Sequence, residues 1–243
     1  MPDPIETPSP NHDARPDGRA IDMLVLHYTG MESAAAALAR LCDPAAKVSA
    51  HYMIEEDGTT YALVPEERRA WHAGVSAWEG EQAMNNCSIG IELVNPGHEF
   101  GYRSFPEPQI GALTQLARAI LFRYTIPPWR VVAHSDIAPA RKEDPGELFP
   151  WARLAEAGIG LWADYRAEGE APPVAVVQKL LAEYGYECAE TGEMDEATRC
   201  VVTAFQRHFR PERLDGIIDA ETAVRLAALV DRKRRMRARR VEV

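Results

Sequence analysis

Apolar residues in the first two thirds of the chain come in short runs bounded by turn-formers. Ile21 to Leu26 (IDMLVL) predicts a buried strand that delivers His27 at its end. Ser33 to Leu41 (SAAAALARL) predicts a helix. Ser49 to Ile54 and Thr59 to Val64 flank Glu55-Glu56-Asp57-Gly58, a hairpin pattern in which Asp-Gly supplies the positive φ of a tight turn. Ser88 to Val94 alternates, with Ile89, Ile91 and Leu93 on one face and Ser88, Gly90 and Glu92 on the other. Ile110, Leu113, Leu116, Ala117, Ile120, Leu121 and Tyr124 recur at helical spacing and predict the longest buried helix of this region, ended by Pro127-Pro128. Trp129 to Ala133 returns as a strand.

The pattern changes after Ala167-Glu-Gly-Glu-Ala-Pro-Pro173, a small, acidic and proline-rich stretch that suits a linker. Val174, Val177, Leu180, Leu181 and Tyr184 form one helical stripe. GxxDxxT then occurs twice, at Gly192 to Thr198 and Gly216 to Thr222, each Asp placed to cap a helix. The chain therefore divides into a proline-rich lead-in (1–19), expected to be extended and poorly ordered; an α/β domain (20–166); the linker (167–173); a three-helix module (174–230); and a basic tail (231–243).

Composition limits what such a chain can do. With 243 residues, 46% hydrophobic and 26% charged, it can bury a large core and a small one. A net charge of −10 argues against a general nucleic-acid binder. The seven Lys/Arg against two Asp/Glu in 231–243 read as a solvated helix end or frayed tail. Four cysteines without CxxC spacing suggest buried small hydrophobes rather than a disulfide framework. No apolar run is long enough to cross a bilayer, and the first nineteen residues carry five prolines and no signal-peptide core. The expected compartment is the cytoplasm, or the periplasm if an export signal was trimmed.

Candidate chemistry gathers at strand ends. His27 and His134 each follow an apolar strand, and Asp144 lies ten residues past the second. Zinc hydrolases typically take three His or carboxylate ligands and keep a fourth position for water. Lys142 and Asp144, two apart, face the same way in an extended segment, so an ammonium there could meet a developing oxyanion. Glu92, on the polar face of its strand, could act as a base. Each has an ordinary reading too: strand-end histidines satisfied by hydrogen bonds, a solvated turn at Arg141-Lys-Glu-Asp144, a solvent-facing glutamate.

Five segments carry a resemblance: VLHYTG (25–30), SAHYMI (49–54), AWHAG (70–74), NNCSIGIEL (85–93) and AHSDIAPARKEDPGELFPW (133–151). In order and approximate spacing they resemble the zinc-dependent N-acetylmuramoyl-L-alanine amidases, whose fold is shared with phage T7 lysozyme and the peptidoglycan recognition proteins. The likeness covers residues 21 to about 165. It implies a central mixed sheet flanked by helices with zinc at one edge, His27, His134 and Asp144 as zinc ligands, Glu92 as catalytic carboxylate and Lys142 as oxyanion-stabilising cation. The C-terminal module resembles the three-helix peptidoglycan-binding domain. Tyr28, Trp71, His72 and Asn86 are candidates for the substrate groove, His51 for a buried neighbour of the site, and His12, His98 and His208 for surface or structural roles.

A non-catalytic peptidoglycan recognition module is the rival from another class, opposed by the joint presence of all five site residues. A cysteine hydrolase built on Cys87 lacks a nucleophile signature. The implied substrate is peptidoglycan or its fragments. The missing signal peptide favours soluble 1,6-anhydromuropeptides, and the module favours the polymer; recycling of the soluble fragment is the preferred expectation. Because the module carries no ligand or nucleophile cluster, a chain ending near Glu170 is expected to fold and act on small fragments alone.

Overall fold

A computed structural model describes residues 3–241. In chain order the strands and helices are β1 (Ile5–Glu6), β2 (His12–Ala14), β3 (Met23–Tyr28), α1 (Ala34–Cys42), β4 (Tyr52–Ile54), β5 (Thr60–Ala62), β6 (Arg68–Ala70), β7 (Ala77–Trp78), β8 (Glu81–Gln82), β9 (Ser88–Leu93), α2 (Gly97–Phe100), α3 (Glu107–Arg123), β10 (Val131–Ala133), α4 (His134–Ile137), α5 (Trp151–Glu156), α6 (Val174–Tyr184), α7 (Glu196–Phe209) and α8 (Ala220–Val241). A six-stranded sheet runs β1-β5-β4-β9-β3-β10. Its centre is parallel, and β4 and β5 form the antiparallel hairpin that the Asp-Gly turn predicts.

Alternation along the central strands sorts their side chains between two cores. Leu24, Leu26, Ile89, Ile91 and Leu93 pack under α3 through Ile110, Leu113, Leu116, Ala117 and Ile120. Register pairs Met23 with Ser88, Val25 with Gly90 and His27 with Glu92 on the opposite face. That face carries the site at its C-terminal end and an apolar floor, Met23 and Val25, at its start. In a parallel sheet all the carboxyl ends open on one side, where ligands are usually held. The site therefore lies at the ends of the central strands β3 and β9 and of β10, not at a lateral edge of the sheet.

Three expectations are corrected. The lead-in is extended but ordered: β1 pairs in parallel with β5, β2 pairs with β6, and Ser9 and Asn11 are buried. Prolines alternate there with residues whose polar groups find partners, Ser9 Oγ donating to the Leu41 carbonyl (2.5 Å) and Asn11 Nδ2 to those of Asp43 and Val48. The basic run set off as a tail is the end of a helix, as one of its two readings had it, but not a wholly solvated one: α8 runs on through Val241 and buries Lys233 against the Glu183 and Tyr184 carbonyls and the Glu79 carboxylate.

The third correction concerns independence. Met23, Val25, Trp78, Met84 and Cys87 of the α/β part share one core with Val177, Leu181, Val202, Phe205, Phe209, Leu226 and Leu229 of the helical part. The Trp78 ring lies so close to Gly185 that a Cβ there would sit 2.4 Å from it, so this helix end has to be glycine. The predicted caps hold: Asp195 accepts from Thr198 N and Asp219 from Thr222 N. All four cysteines are free, Cys87 fully buried and the others partly so.

Candidate metal centre and substrate groove

His27 is the fifth residue of β3, and His134 opens α4 directly after β10. Asp144 comes back to them along a loop whose own backbone is tied to α4, Ser135 N donating to the Asp144 carbonyl. His27 Nδ1 and His134 Nδ1 lie 2.9 and 3.0 Å from Asp144 Oδ2 and 3.0 Å from each other. All three residues are buried. Two imidazole nitrogens and a carboxylate oxygen thus converge on one point and form a group that can hold a metal.

The outer ring nitrogens fix which face each imidazole offers. His134 Nε2 donates to the Ala73 carbonyl at 3.1 Å, leaving Nδ1 as a lone pair aimed inward. For His27 the assignment passes through two residues. Ser88 Oγ donates to the Met84 carbonyl (2.7 Å), so it accepts from His72 Nε2 (3.1 Å); His72 Nδ1 must then accept from His27 Nε2 (3.0 Å). His27 Nδ1 is left unprotonated, as a ligand must be. Burial, reinforced by the neighbouring His134, pushes the His27 imidazole down to about 4. Burial also pushes the Asp144 carboxyl up, but the His134 and His27 imidazoles outweigh it and hold the group well below the usual carboxylate range. Gly90 makes room for this relay, since a Cβ there would sit 2.4 Å from the His72 ring.

Glu92 faces the same space from β9, half-buried, and its Oε2 has no hydrogen-bond partner among the described residues. Burial drives its carboxyl well above the ordinary value, the Asp144 charge adds to the rise, and Lys142 opposes it. A groove of about 400 Å³ opens over these groups, lined among others by Tyr28, Arg40, Trp71, His72, Glu92, His98, Lys142 and Asp144. Its loop wall is braced from outside: Tyr102 Oη donates to the Pro145 carbonyl and accepts from Leu148 N. His98 stacks on Tyr102 at 4.3 Å between centroids, with Nδ1 3.0 Å from Tyr28 Oη.

The comparisons with known proteins decide the family. The N-acetylmuramoyl-L-alanine amidase profile matches residues 17–147, and a putative peptidoglycan binding domain profile matches 170–226. The N-acetylmuramoyl-L-alanine amidase AmiD of Escherichia coli (strain K12) is 44% identical over 233 residues, 87% of this chain and 83% of that protein. This chain belongs to the N-acetylmuramoyl-L-alanine amidase family. The 1,6-anhydro-N-acetylmuramyl-L-alanine amidase AmpD of the same organism is 37% identical over 164 residues, 60% of this chain and 87% of that protein. The solved complex of E. coli AmiD with anhydro-N-acetylmuramic acid-L-Ala-D-gamma-Glu-L-Lys superposes with a TM-score of 0.79 at 41% identity, covering 90% of this chain and 91% of that one. AMPDH3 from Pseudomonas aeruginosa, solved with anhydromuramic pentapeptide, gives 0.80 at 40% identity over 88% and 92%.

Within this amidase framework the sequence candidates sort cleanly. The structure lines one groove with His134, Asp144, Glu92 and Lys142, with Tyr28, Trp71 and His72 on its walls, and sets His27 against His134 and Asp144. Asn86 is not there: its side chain turns away and accepts from Arg69 Nη1. Its neighbour Asn85 is the residue that shapes the site, its Oδ1 accepting from His72 N and Ala73 N. His98, expected to be surface or structural, lines the groove, as does Arg40, which the sequence reading passed over; nothing in local spacing singles out either.

His51 is buried beside the centre but not part of it, with Nδ1 accepting from Gly90 N and Nε2 within 3.1 Å of the Arg68 carbonyl. Burial, with the Arg15 charge acting the same way, takes its imidazole down to about 3. The unfolded chain therefore binds a proton at this position below its ordinary value while the folded chain does not. Stability should fall as pH drops through that window, by at most about 1.4 kcal/mol per pH unit from this one group. His51→Gln removes that slope, so the stability gap between parent and variant should narrow from about pH 7 to about pH 4.5 in urea titrations. A gap that stays constant would show that His51 does not titrate there.

Proposed function

We propose that the chain is a zinc amidase that hydrolyses the amide between the lactyl group of N-acetylmuramic acid and the L-alanine of the stem peptide, with soluble 1,6-anhydromuropeptides as its preferred substrate. The observation that carries this reading is the convergence of His27 Nδ1, His134 Nδ1 and Asp144 Oδ2 beside the unpartnered Glu92 Oε2 at the floor of one groove. Two borderline nitrogens and one hard oxygen, the histidines held in the ligand tautomer by their outer partners, suit zinc. Bound there, zinc supplies Lewis acidity, polarising a carbonyl and acidifying water.

The chain's own residues do the rest. Glu92, whose buried carboxyl holds a proton more readily than a surface carboxylate, takes the proton from the attacking water and passes it to the departing alanine nitrogen. Lys142, on the groove wall, offers its ammonium to the oxyanion that forms at the carbonyl. Glu92→Ala and Lys142→Ala should keep zinc yet lose on the order of a hundredfold in kcat. Normal turnover in either variant with zinc bound would refute that residue's role.

The anhydromuramyl ligands named for the two solved relatives support the substrate form. Polymeric peptidoglycan is the second reading, favoured by the match of residues 170–226 to a wall-binding domain. Digesting anhydromuropeptides and intact sacculi with one preparation separates the two. Faster release of L-alanine-terminated peptide from the soluble fragment is expected, and a clear preference for sacculi would reverse the assignment.

A further inference from the structure

α4 and the loop that carries Asp144 are both contacted from the helical module. α4 is a single turn of four residues, too short to fix its own direction. His134 is its first residue, and Asp136, two further on, is 1% exposed and is not among the residues that line the groove. Asp136 Oδ2 accepts from Ala133 N at 2.8 Å, the N–H of the Val132–Ala133 peptide, one residue before His134. Its remaining partners come from beyond the linker: Tyr186 Oη donates to Oδ1 at 2.6 Å, and His208 Nδ1 lies 2.6 Å from Oδ2. The His208 ring is held in turn, stacked at 3.7 Å on Trp151. One residue earlier on α7, Arg207 places its guanidinium 3.5 Å from Glu143, between Lys142 and Asp144 in sequence, and 3.8 Å from Glu147.

We propose that the C-terminal module is a positioning element of the active site: Tyr186 and His208, acting through Asp136, set the direction of α4 and so aim His134 at the metal. A carboxylate buried this deeply needs its donors, and removing one leaves it free to turn and carry with it the Val132–Ala133 peptide, and so the residue that leads into His134. A wall anchor alone requires none of these contacts, and those to Asp136 are buried, out of a polymer's reach. The inference rests on the zinc reading above.

The test uses the full chain with three substitutions, Tyr186→Phe, His208→Leu and His208→Asn. Zinc affinity is read by competition with a chelating dye, kcat and KM on an anhydromuropeptide, and stability by thermal unfolding. His208→Leu should weaken zinc binding about tenfold to a hundredfold, the range typical of groups that orient a metal ligand, and lower kcat with KM within about twofold. Tyr186→Phe, which removes one hydroxyl, should shift zinc affinity the same way by a smaller factor. His208→Asn, whose amide nitrogen takes the place of Nδ1, should restore much of what leucine loses. If His208→Leu fails to fold, the other two decide by the same readouts. Parental zinc affinity and kcat in every folded variant, with only the unfolding temperature lowered, would overturn the proposal. A parent chain that binds no zinc would instead overturn the zinc reading itself.

Discussion

Replacing His27 or Asp144 with alanine should strip the protein of zinc and of all measurable amidase activity. Each contributes one of three converging ligand atoms among the described residues, and these atoms lie 2.9–3.0 Å from one another. Losing Asp144 leaves two neutral imidazoles without the anion that sits between them. Losing His27 leaves His72 Nδ1 without its donor and opens a hole at the C-terminal end of β3. Metal content by atomic emission after dialysis, together with peptide release from an anhydromuropeptide, checks both. Full activity in either variant, or in parent protein shown to be metal-free, would remove the zinc mechanism.

The second large effect is expected from truncation, and it reverses what the linker alone suggests. A chain ending at Glu170 loses the partners of Met23, Val25, Trp78 and Met84. Each such side chain contributes about 1.5–3 kcal/mol when buried, and a domain's whole stability is about 5–15 kcal/mol. The polar losses act in the same direction. Asp136 is left without two of its three donors, and Glu79 loses Lys233. Truncated protein should therefore unfold or aggregate at temperatures where the full chain is intact, with its activity on the small fragment lost in step. A soluble fragment that keeps the parental melting temperature, zinc and turnover would show that the shared core is dispensable.

How much of this was legible beforehand follows from how local each feature is. The strands around His27 and Glu92, the hairpin at Asp57-Gly58, α3 and the two Asp-capped helices are written in periods of two and 3.6 and in turn residues, which act over a few positions. The candidate ligand set was legible for another reason, the family resemblance carried by five ordered segments, since each residue taken singly has an ordinary reading; alternation along β9 places Glu92 on the polar face, and the register sets it opposite His27.

What the sequence could not express is which surfaces meet. Proline in the lead-in forbids helix, but it leaves open whether an extended segment stays free or adds an edge strand, and only the β1–β5 pairing decides that. The linker at 167–173 is as proline-rich as a joint between independent domains. Even so, the apolar stripe of α6 and the ring of Trp78 each need a partner, and the fold makes them each other's. Asn85 and Asn86 are chemically identical, and only the turn that precedes β9 determines which of them faces His72. Asp136 and His208 lie 72 residues apart with ordinary neighbours on both sides. Hydrophobic burial is non-directional, so the sequence determines that these faces must be covered, whereas the packed tertiary structure determines by what, and with it which buried carboxylate stands behind His134.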